Sequence, residues 1–301
     1  MKPKINLCTF NVTRVGIFDQ IWFAKELFFQ NGYEFLCTNA LRPDCLNLLI
    51  ENFVDEDIET LSSFARRFKK KIGVIMTEHI ELEAEGFTFG GAQLTDMEYI
   101  RNKKERLFGL LSITDYAFGY FTFGDLPKLH TWNRILPGHR PYHLPYPSIH
   151  KTTAQPTRPD YDIVFTGVLT PHRKSVLREL AKKYRVRQSE LTKTEEERAA
   201  HYAKAKIAVT VPQTKDWRWI SPMRVLFGLR AGLATIDLGQ DHTTTFARSV
   251  LSELEIERAV THPGAAFEQQ LQSYARFVQS PENGPFPSGI FDLWAELEFS
   301  R

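Results

Sequence analysis

Trp217-Arg218-Trp219-Ile220-Ser221-Pro222-Met223-Arg224-Val225-Leu226-Phe227-Gly228-Leu229-Arg230-Ala231-Gly232-Leu233-Ala234-Thr235-Ile236 reads as a loop, a capped helix and a buried strand. Ser221 followed by Pro222 is a helix start: the Ser oxygen accepts a backbone N–H bond, and proline at the first helical position loses only a donor that was orphaned anyway. Met223, Leu226, Phe227 and Arg230 recur at helical spacing. Ala231-Gly232 then gives a small-residue stop before the apolar run Leu233–Ile236, which suits a parallel sheet. Upstream, Ile207-Ala208-Val209-Thr210-Val211 is a second apolar run, so a strand enters the loop and a helix leaves it. A helix start at a strand's carboxyl end presents free N–H groups and a positive dipole, which suits a diphosphate. Arg224 sits in that first turn, where a cation is unfavourable unless an anion accompanies it. The plainer reading is a capped helix with a solvated arginine.

Working outward, the same alternation runs along the chain. Strands are predicted at Lys4–Phe10, Tyr33–Thr38, Ile72–Met76, Tyr116–Phe121, Tyr161–Thr166 and, as a short candidate, Val186–Gln188. Leu46–Phe53 fits helix or strand, and strand is favoured because Asp55–Lys71 supplies the next helix through Ile58, Leu61, Phe64, Ala65 and Phe68. The other predicted helices are Phe18–Gln30, with Ile21, Trp22, Leu27 and Phe28 on its apolar face, Thr95–Ser112, Arg173–Tyr184 and Thr194–Ala203. The Pro-rich stretch from Pro137 to Pro147 and its continuation to Pro159 break the pattern and mark a boundary. Two parallel α/β domains follow, 1–150 and 151–285, with 286–301 a terminal helix packing back on the first. Ligands are expected at the carboxyl ends of the strands.

Composition narrows the classes. A chain of 301 residues, 43% hydrophobic and 25% charged, buries two medium cores. A net charge of +2 carries no nucleic-acid signature. The basic start Met1–Lys4 runs into a short apolar stretch and then polar Asn11–Arg14, a first strand and not a signal peptide. No apolar run is long enough to span a bilayer, so a cytoplasmic protein with at most peripheral membrane contact is expected. Cys8, Cys37 and Cys45 lack metal spacing and read as reduced thiols.

A second anion-type turn occurs in Asp162-Ile163-Val164-Phe165-Thr166-Gly167-Val168-Leu169-Thr170-Pro171-His172-Arg173-Lys174. Gly167 after a strand permits close backbone approach, and Thr170-Pro171 starts a helix with His172, Arg173 and Lys174 in its first turn. Two such starts in one domain point to a phosphate-bearing ligand; solvated basic faces are the alternative.

Together, Val164–Arg173 and Ser221–Leu226 with Ala231-Gly232 resemble the carboxyl-terminal donor domain of GT-B glycosyltransferases, most closely the spore-maturation-protein-like branch of the family 1/4 group. The resemblance covers residues 160 to 240; the first half matches in strand–helix order and in a strand ending Met76-Thr77-Glu78-His79. It implies two Rossmann-like domains with parallel sheets facing across a cleft, and a nucleotide-sugar donor held by Gly167, Thr170, His172 and Arg173 on one wall and Ser221, Pro222, Met223 and Arg224 on the other. Many relatives carry a glutamate in the helix before the small-residue stop, where this chain has Leu226-Phe227-Gly228-Leu229. The implied activity is transfer of a sugar to a glycan, a lipid-linked sugar or a small molecule, with either retention or inversion.

The candidate catalytic groups are Glu78, His79 and Asp19. Glu78 and His79 follow a predicted strand; the glutamate suits a base and the histidine a sugar hydroxyl, though loop bracing is the simpler role. Asp19, after the first strand, suits an acceptor base or merely complements its helix dipole. No metal and no cofactor are expected: Asp55-Glu56-Asp57 starts a helix, Asp160-Tyr161-Asp162 precedes a strand, and Asp241-His242 offers too few ligands. No Walker loop or Gly-x-Gly-x-x-Gly occurs. Trp217 and Trp219 suit either base stacking or anchoring of the loop. Tyr116–Phe123 and the basic residues Arg101, Lys103, Lys104 and Arg106 suit a lipid-linked acceptor, or a core strand and a solvated helix. The rivals to the leading reading are a non-catalytic module binding a phosphorylated metabolite and a transferase using a cytidine-monophosphate sugar.

Overall fold

The computed structural model describes residues 2–10, 17–50, 55–77, 80–83, 86–89, 97–124, 136, 138–139, 141–150, 152–153, 158–189, 194–215, 217, 220–239 and 244–299. The chain divides into two units, one of Met1–Arg14, Ile21–Pro147 and Gly284–Arg301, the other of Val15–Gln20 and Ser148–Asn283.

The first unit is built on a six-stranded parallel sheet of β1 (Lys4–Cys8), β2 (Glu34–Thr38), β3 (Leu46–Ile50), β4 (Ile72–Met76), β7 (Ala117–Phe123) and β8 (Tyr142–Leu144), in the order β2-β1-β3-β4-β7-β8. Between β4 and β7, β5 (Ile80–Glu83) and β6 (Gly86–Phe89) form an antiparallel pair. The central strand β4 is apolar and buried at every position because both faces are covered. On one face Ile72, Val74 and Met76 of β4 pack with Leu61 of α2 (Asp55–Phe68) and Leu107 and Leu110 of α3 (Met97–Ser112). On the other, α1 (Phe18–Gln30) and the terminal helix, here α9 (Ser288–Phe299), meet through Phe28 and Phe291 at 5.2 Å, and Trp294 stacks on Phe118 at 4.9 Å. A Cβ on Gly73 would lie 2.6 Å from Leu48, 2.8 Å from Phe121 and 3.0 Å from Trp294, so only glycine lets the indole reach the sheet.

The link from β2 to β3 crosses β1 without a helix, and polar side chains stitch it down. Asn6 Nδ2 donates to Ala40 O and to Asn47 Oδ1, Thr38 Oγ1 donates to Asn6 Oδ1, and Asn47 Nδ2 donates to Arg42 O. Carbonyls of the link that a crossover helix would have satisfied internally are thus paired by two asparagines.

Several boundaries differ from the sequence reading. The buried face of α1 is Phe23, Ala24, Leu27 and Phe28, with Ile21 and Trp22 only half-buried. Residues 142–144, expected within the break, form the sixth strand, and the strand expected at Tyr116–Phe121 runs over Ala117–Phe123 as the largely buried β7.

The second unit holds a five-stranded parallel sheet of β9 (Tyr161–Thr166), β10 (Val186–Ser189), β11 (Ala205–Thr210), β12 (Thr235–Asp237) and β13 (Leu251–Ser252), ordered β10-β9-β11-β12-β13. The strand order reverses between its first and third strands, β9 and β11, the place where doubly wound sheets open a crevice at their carboxyl edge. The helices are α4 (Pro171–Leu180) after β9, α5 (Glu195–Tyr202) after β10, α6 (Pro222–Arg230) after β11, then α7 (Ile256–Thr261) and α8 (Pro263–Gln279), neither of which the sequence reading assigned. Val164, Ala205 and Ala208 pack with Tyr202 of α5 and Phe227 of α6. The fully buried Gln270 of α8 accepts from Thr235 N at 2.7 Å and donates to Thr235 O at 2.8 Å, pairing with β12 as a neighbouring strand would. The described residues include no helix long and apolar enough to cross a membrane.

Candidate functional site: an arginine at the reversal of the second sheet

The carboxyl edge between β9 and β11 gathers most of the residues expected to hold a donor. β9 ends at Thr166 and the chain turns at Gly167, whose φ of +139° is open to glycine and strained for other residues. Space demands glycine as well: a Cβ there would sit 3.0 Å from Arg224 Nη2 and 3.6 Å from its Cζ. Gly167 and Arg224, 57 positions apart in sequence, are therefore in direct apposition.

Thr170 caps α4 as expected, its hydroxyl accepting from Arg173 N at 3.3 Å and donating to Gln213 O at 2.6 Å in the segment after β11. Arg173 is 2% exposed; its Nε donates to Val211 O and its Nη1 to Val168 O, both at 2.9 Å. The guanidinium therefore bolts the loop after β9 to the segment after β11. His172 sits half-buried in the same first turn.

The α6 start differs from expectation. Ser221 makes no side-chain cap; its ψ of 99°, against 162° at Thr170, leaves the hydroxyl off the helix N–H groups. Arg224 N and Val225 N turn back instead to Ser221 O at 3.2 and 3.4 Å. Ser221, Pro222, Met223 and Arg224 are all half-buried.

Arg224 is the distinctive group. Its guanidinium lies 5.9 Å from the centre of the Phe165 ring, and that of Arg173 lies 5.5 Å from the same centre. Burial pushes its pKa down; the nearby Tyr202 and Asp19 oppose that shift and Arg198 adds to it. No carboxylate pairs with it among the described residues. Neither α4 nor α6 has an acid in its first turn, whereas α5 has Glu195, Glu196 and Glu197.

Behind Arg224 lies a charge cluster that also claims Asp19, a residue counted with this second unit. Arg198 Nη1 and Nη2 donate to the two Asp19 oxygens at 2.8 and 2.6 Å, and Arg230 approaches Asp19 at 3.9 Å while bonding Glu195. The Arg198 guanidinium stacks 3.7 Å above Phe227, and Tyr202 OH meets Thr166 Oγ1 at 3.3 Å. Burial raises the Asp19 pKa, and the two arginines act against it. As placed, both Asp19 oxygens are engaged by a guanidinium. Among the described residues, three arginines, Arg198, Arg224 and Arg230, face two carboxylates, Asp19 and Glu195, and the ion pairs join those carboxylates to Arg198 and Arg230.

Glu78, His79, Asp241, His242, Arg218 and Trp219 lie outside the described residues, as do the side chains of Lys103, Lys104 and Arg106. Arg101 is exposed, 3.7 Å from Glu105. The acidic pair at Asp160 and Asp162 is at the opposite, amino end of β9, where Asp162 meets Lys206 at 2.8 Å and Arg185 at 3.4 Å. Among the described residues no three His, Cys, Asp or Glu side chains converge as a metal site. Arg198 and Tyr202 were not singled out in the sequence; their signal was spacing, since Glu195, Arg198 and Tyr202 share one face of α5.

No protein-family profile and no curated protein matches the sequence. Among solved structures the chain is similar to TarM, at 9% identity and a TM-score of 0.44, over 85% of this chain and 55% of that one. It is also similar to an alpha1,3-fucosyltransferase, at 8% identity and a TM-score of 0.42, over 99% of this chain and 91% of that one. The chain thus spans just over half the length of TarM. Two parallel α/β sheets, of six and five strands, are present, and their strand orders alone define the architecture.

Proposed function

We propose that this chain is a GT-B-type glycosyltransferase whose second unit holds the diphosphate of a nucleotide sugar at Arg224, beside Gly167 and the uncapped first turn of α6. The observation that carries the reading is the half-buried Arg224 guanidinium with no carboxylate paired to it among the described residues, at the reversal of a doubly wound sheet. A diphosphate there would pair with the Arg224 guanidinium and take up the dipole end of α6. In transfer, the same groups would stabilise the leaving diphosphate without a divalent ion. Thr170 and Arg173 shape the loops in this reading, and Asp19 belongs to the scaffold, leaving Glu78 and His79 as the candidates for base and sugar contact.

The test is a thermal-shift screen of uridine, guanosine and cytidine mono- and diphosphates, with and without chelator, on the wild type and Arg224→Ala. Stabilisation by one diphosphate, indifferent to chelator and lost in the variant, supports the site; inert nucleotides, or binding that survives Arg224→Ala, sinks it. A preference for cytidine monophosphate would move the reading to the one-phosphate donor. The non-catalytic alternative is separated by turnover: Glu78→Gln and His79→Ala should keep nucleotide binding and lose sugar transfer, whereas a module that only binds has no transfer to lose.

A further inference from the structure

The end of α2 and the end of α9 build a second surface, in the first unit. Arg66-Arg67-Phe68-Lys69-Lys70-Lys71 places five cations in six residues. All of them except the half-buried Lys70 are exposed. Lys69 adopts the left-handed conformation, φ 57°, that ends α2 and turns the chain into β4. Lys70 joins this run to the terminal helix: its Nζ donates to Glu298 O at 3.0 Å and lies 3.6 Å from the centre of the Phe299 ring. Three large apolar side chains stand out in the same region, Phe68 at 37%, Phe299 at 42% and Leu297 at 47% exposed. The acids on the facing helix are Asp292, Glu296 and Glu298, three against five cations. One oxygen of Glu298 is taken by Lys71 N at 2.9 Å.

We propose that this face docks on an anionic membrane surface, with Arg67, Lys69 and Lys71 meeting lipid phosphates and Phe68, Leu297 and Phe299 entering the headgroup boundary. Charge complementarity selects the partner: a cluster of cations beside protruding apolar side chains supplies the two weak signals that together hold a peripheral protein. An aliphatic Leu297 favours lipid over a nucleic acid, since a leucine offers no stacking face to a base. This surface does not rest on the donor-site reading.

The experiment is co-sedimentation of the full chain with vesicles of phosphatidylcholine alone or mixed with phosphatidylglycerol, at low and raised salt. The wild type should sediment with the mixed vesicles and be released by salt. Arg67→Gln/Lys69→Asn/Lys71→Gln should weaken the partition by roughly a hundredfold, because each of the three cations near such a surface contributes about fivefold. Leu297→Ser/Phe299→Ser should weaken it as well, without restoring binding to neutral vesicles. Both variants change exposed side chains and should melt as the wild type does. A wild type that ignores mixed vesicles, equal partition of the charge variant, or binding of a labelled single-stranded oligonucleotide in place of vesicles would each overturn the proposal.

Discussion

Replacing Gly167 with alanine tests backbone and site in one step. At φ +139° an L-residue is held in a sparsely populated region, a strain of about 1–3 kcal/mol. The new methyl would begin 3.0 Å from Arg224 Nη2, closer than ordinary contact, so the guanidinium must retreat by a few tenths of an ångström. A charge-assisted bond to a phosphate contributes roughly 1.5–3 kcal/mol, so displacing its donor should weaken nucleotide affinity by about one to two orders of magnitude. Thermal melts should fall by roughly 2–4 °C per kcal/mol lost, as for domains somewhat larger than this unit. Gly32→Ala is the control: its φ is +77° and the nearest atoms to the added methyl are 3.9 Å away, so it carries backbone strain without touching Arg224. Melting measured beside calorimetric titration of the selected nucleotide separates the two effects. If Gly167→Ala melts and binds as the wild type does, the apposition of Gly167 and Arg224 has no part in ligand binding; if Gly32→Ala loses the same affinity, the effect is only general destabilisation.

Three further outcomes follow from the packing. Asp19→Ala should cost about 2–4 kcal/mol, a little below the cost of orphaning a fully buried charge, by leaving the part-buried Arg198 without its bidentate partner, and a melt within 2 °C of wild type, about the measurement scatter, would contradict the pairing. Gly228→Ala places a methyl 2.0 Å from the stiff Thr235 side chain and should cost about 1–3 kcal/mol, yet Thr235→Ala in the same chain should recover most of it, because the Thr235 hydroxyl is buried without a partner; simple additivity in the double-mutant cycle refutes this. Asp162, despite burial, is held at about 2 by bonds from Lys206 and Arg185, against 3.8 when unfolded. Its stabilisation is nearly complete above pH 3.8 and is lost as pH falls through 2, so Asp162→Asn should remove roughly 1–2 kcal/mol at neutral pH, after allowance for screening, and only a small fraction of that near pH 2. Equal losses at both pH values would refute that linkage.

The α/β alternation was legible because local signals agree with the fold: Phe18–Gln30 and Ile72–Met76 carry the periods and stops their elements need. The apposition of Gly167 with Arg224 was legible only as two separate anion-type turns, since strand order is what joins them. Tyr142–Leu144 was hidden by its prolines, which end a short edge strand without preventing it. The pairing of Asp19 with Arg198 was not legible, because nothing near Asp19 in sequence announces an arginine 179 positions away. Ser221 shows the opposite failure: the Ser-Pro signal places the helix start correctly, but the cap depends on a ψ that the loop before it sets.

The bond between Gln270 and Thr235 has a mechanical consequence. β12 is three residues long, and on one side its main chain is read by an amide at the middle of a 17-residue helix. Packed helices ordinarily slide over a sheet by an ångström or so through exchange of rotamers. Here α8 cannot shift along the sheet without breaking two buried bonds at once, each costly when unmade. The helix and the strand therefore form one stiff plate, and slow hydrogen exchange of the Thr235 amide should report on α8 as much as on the sheet.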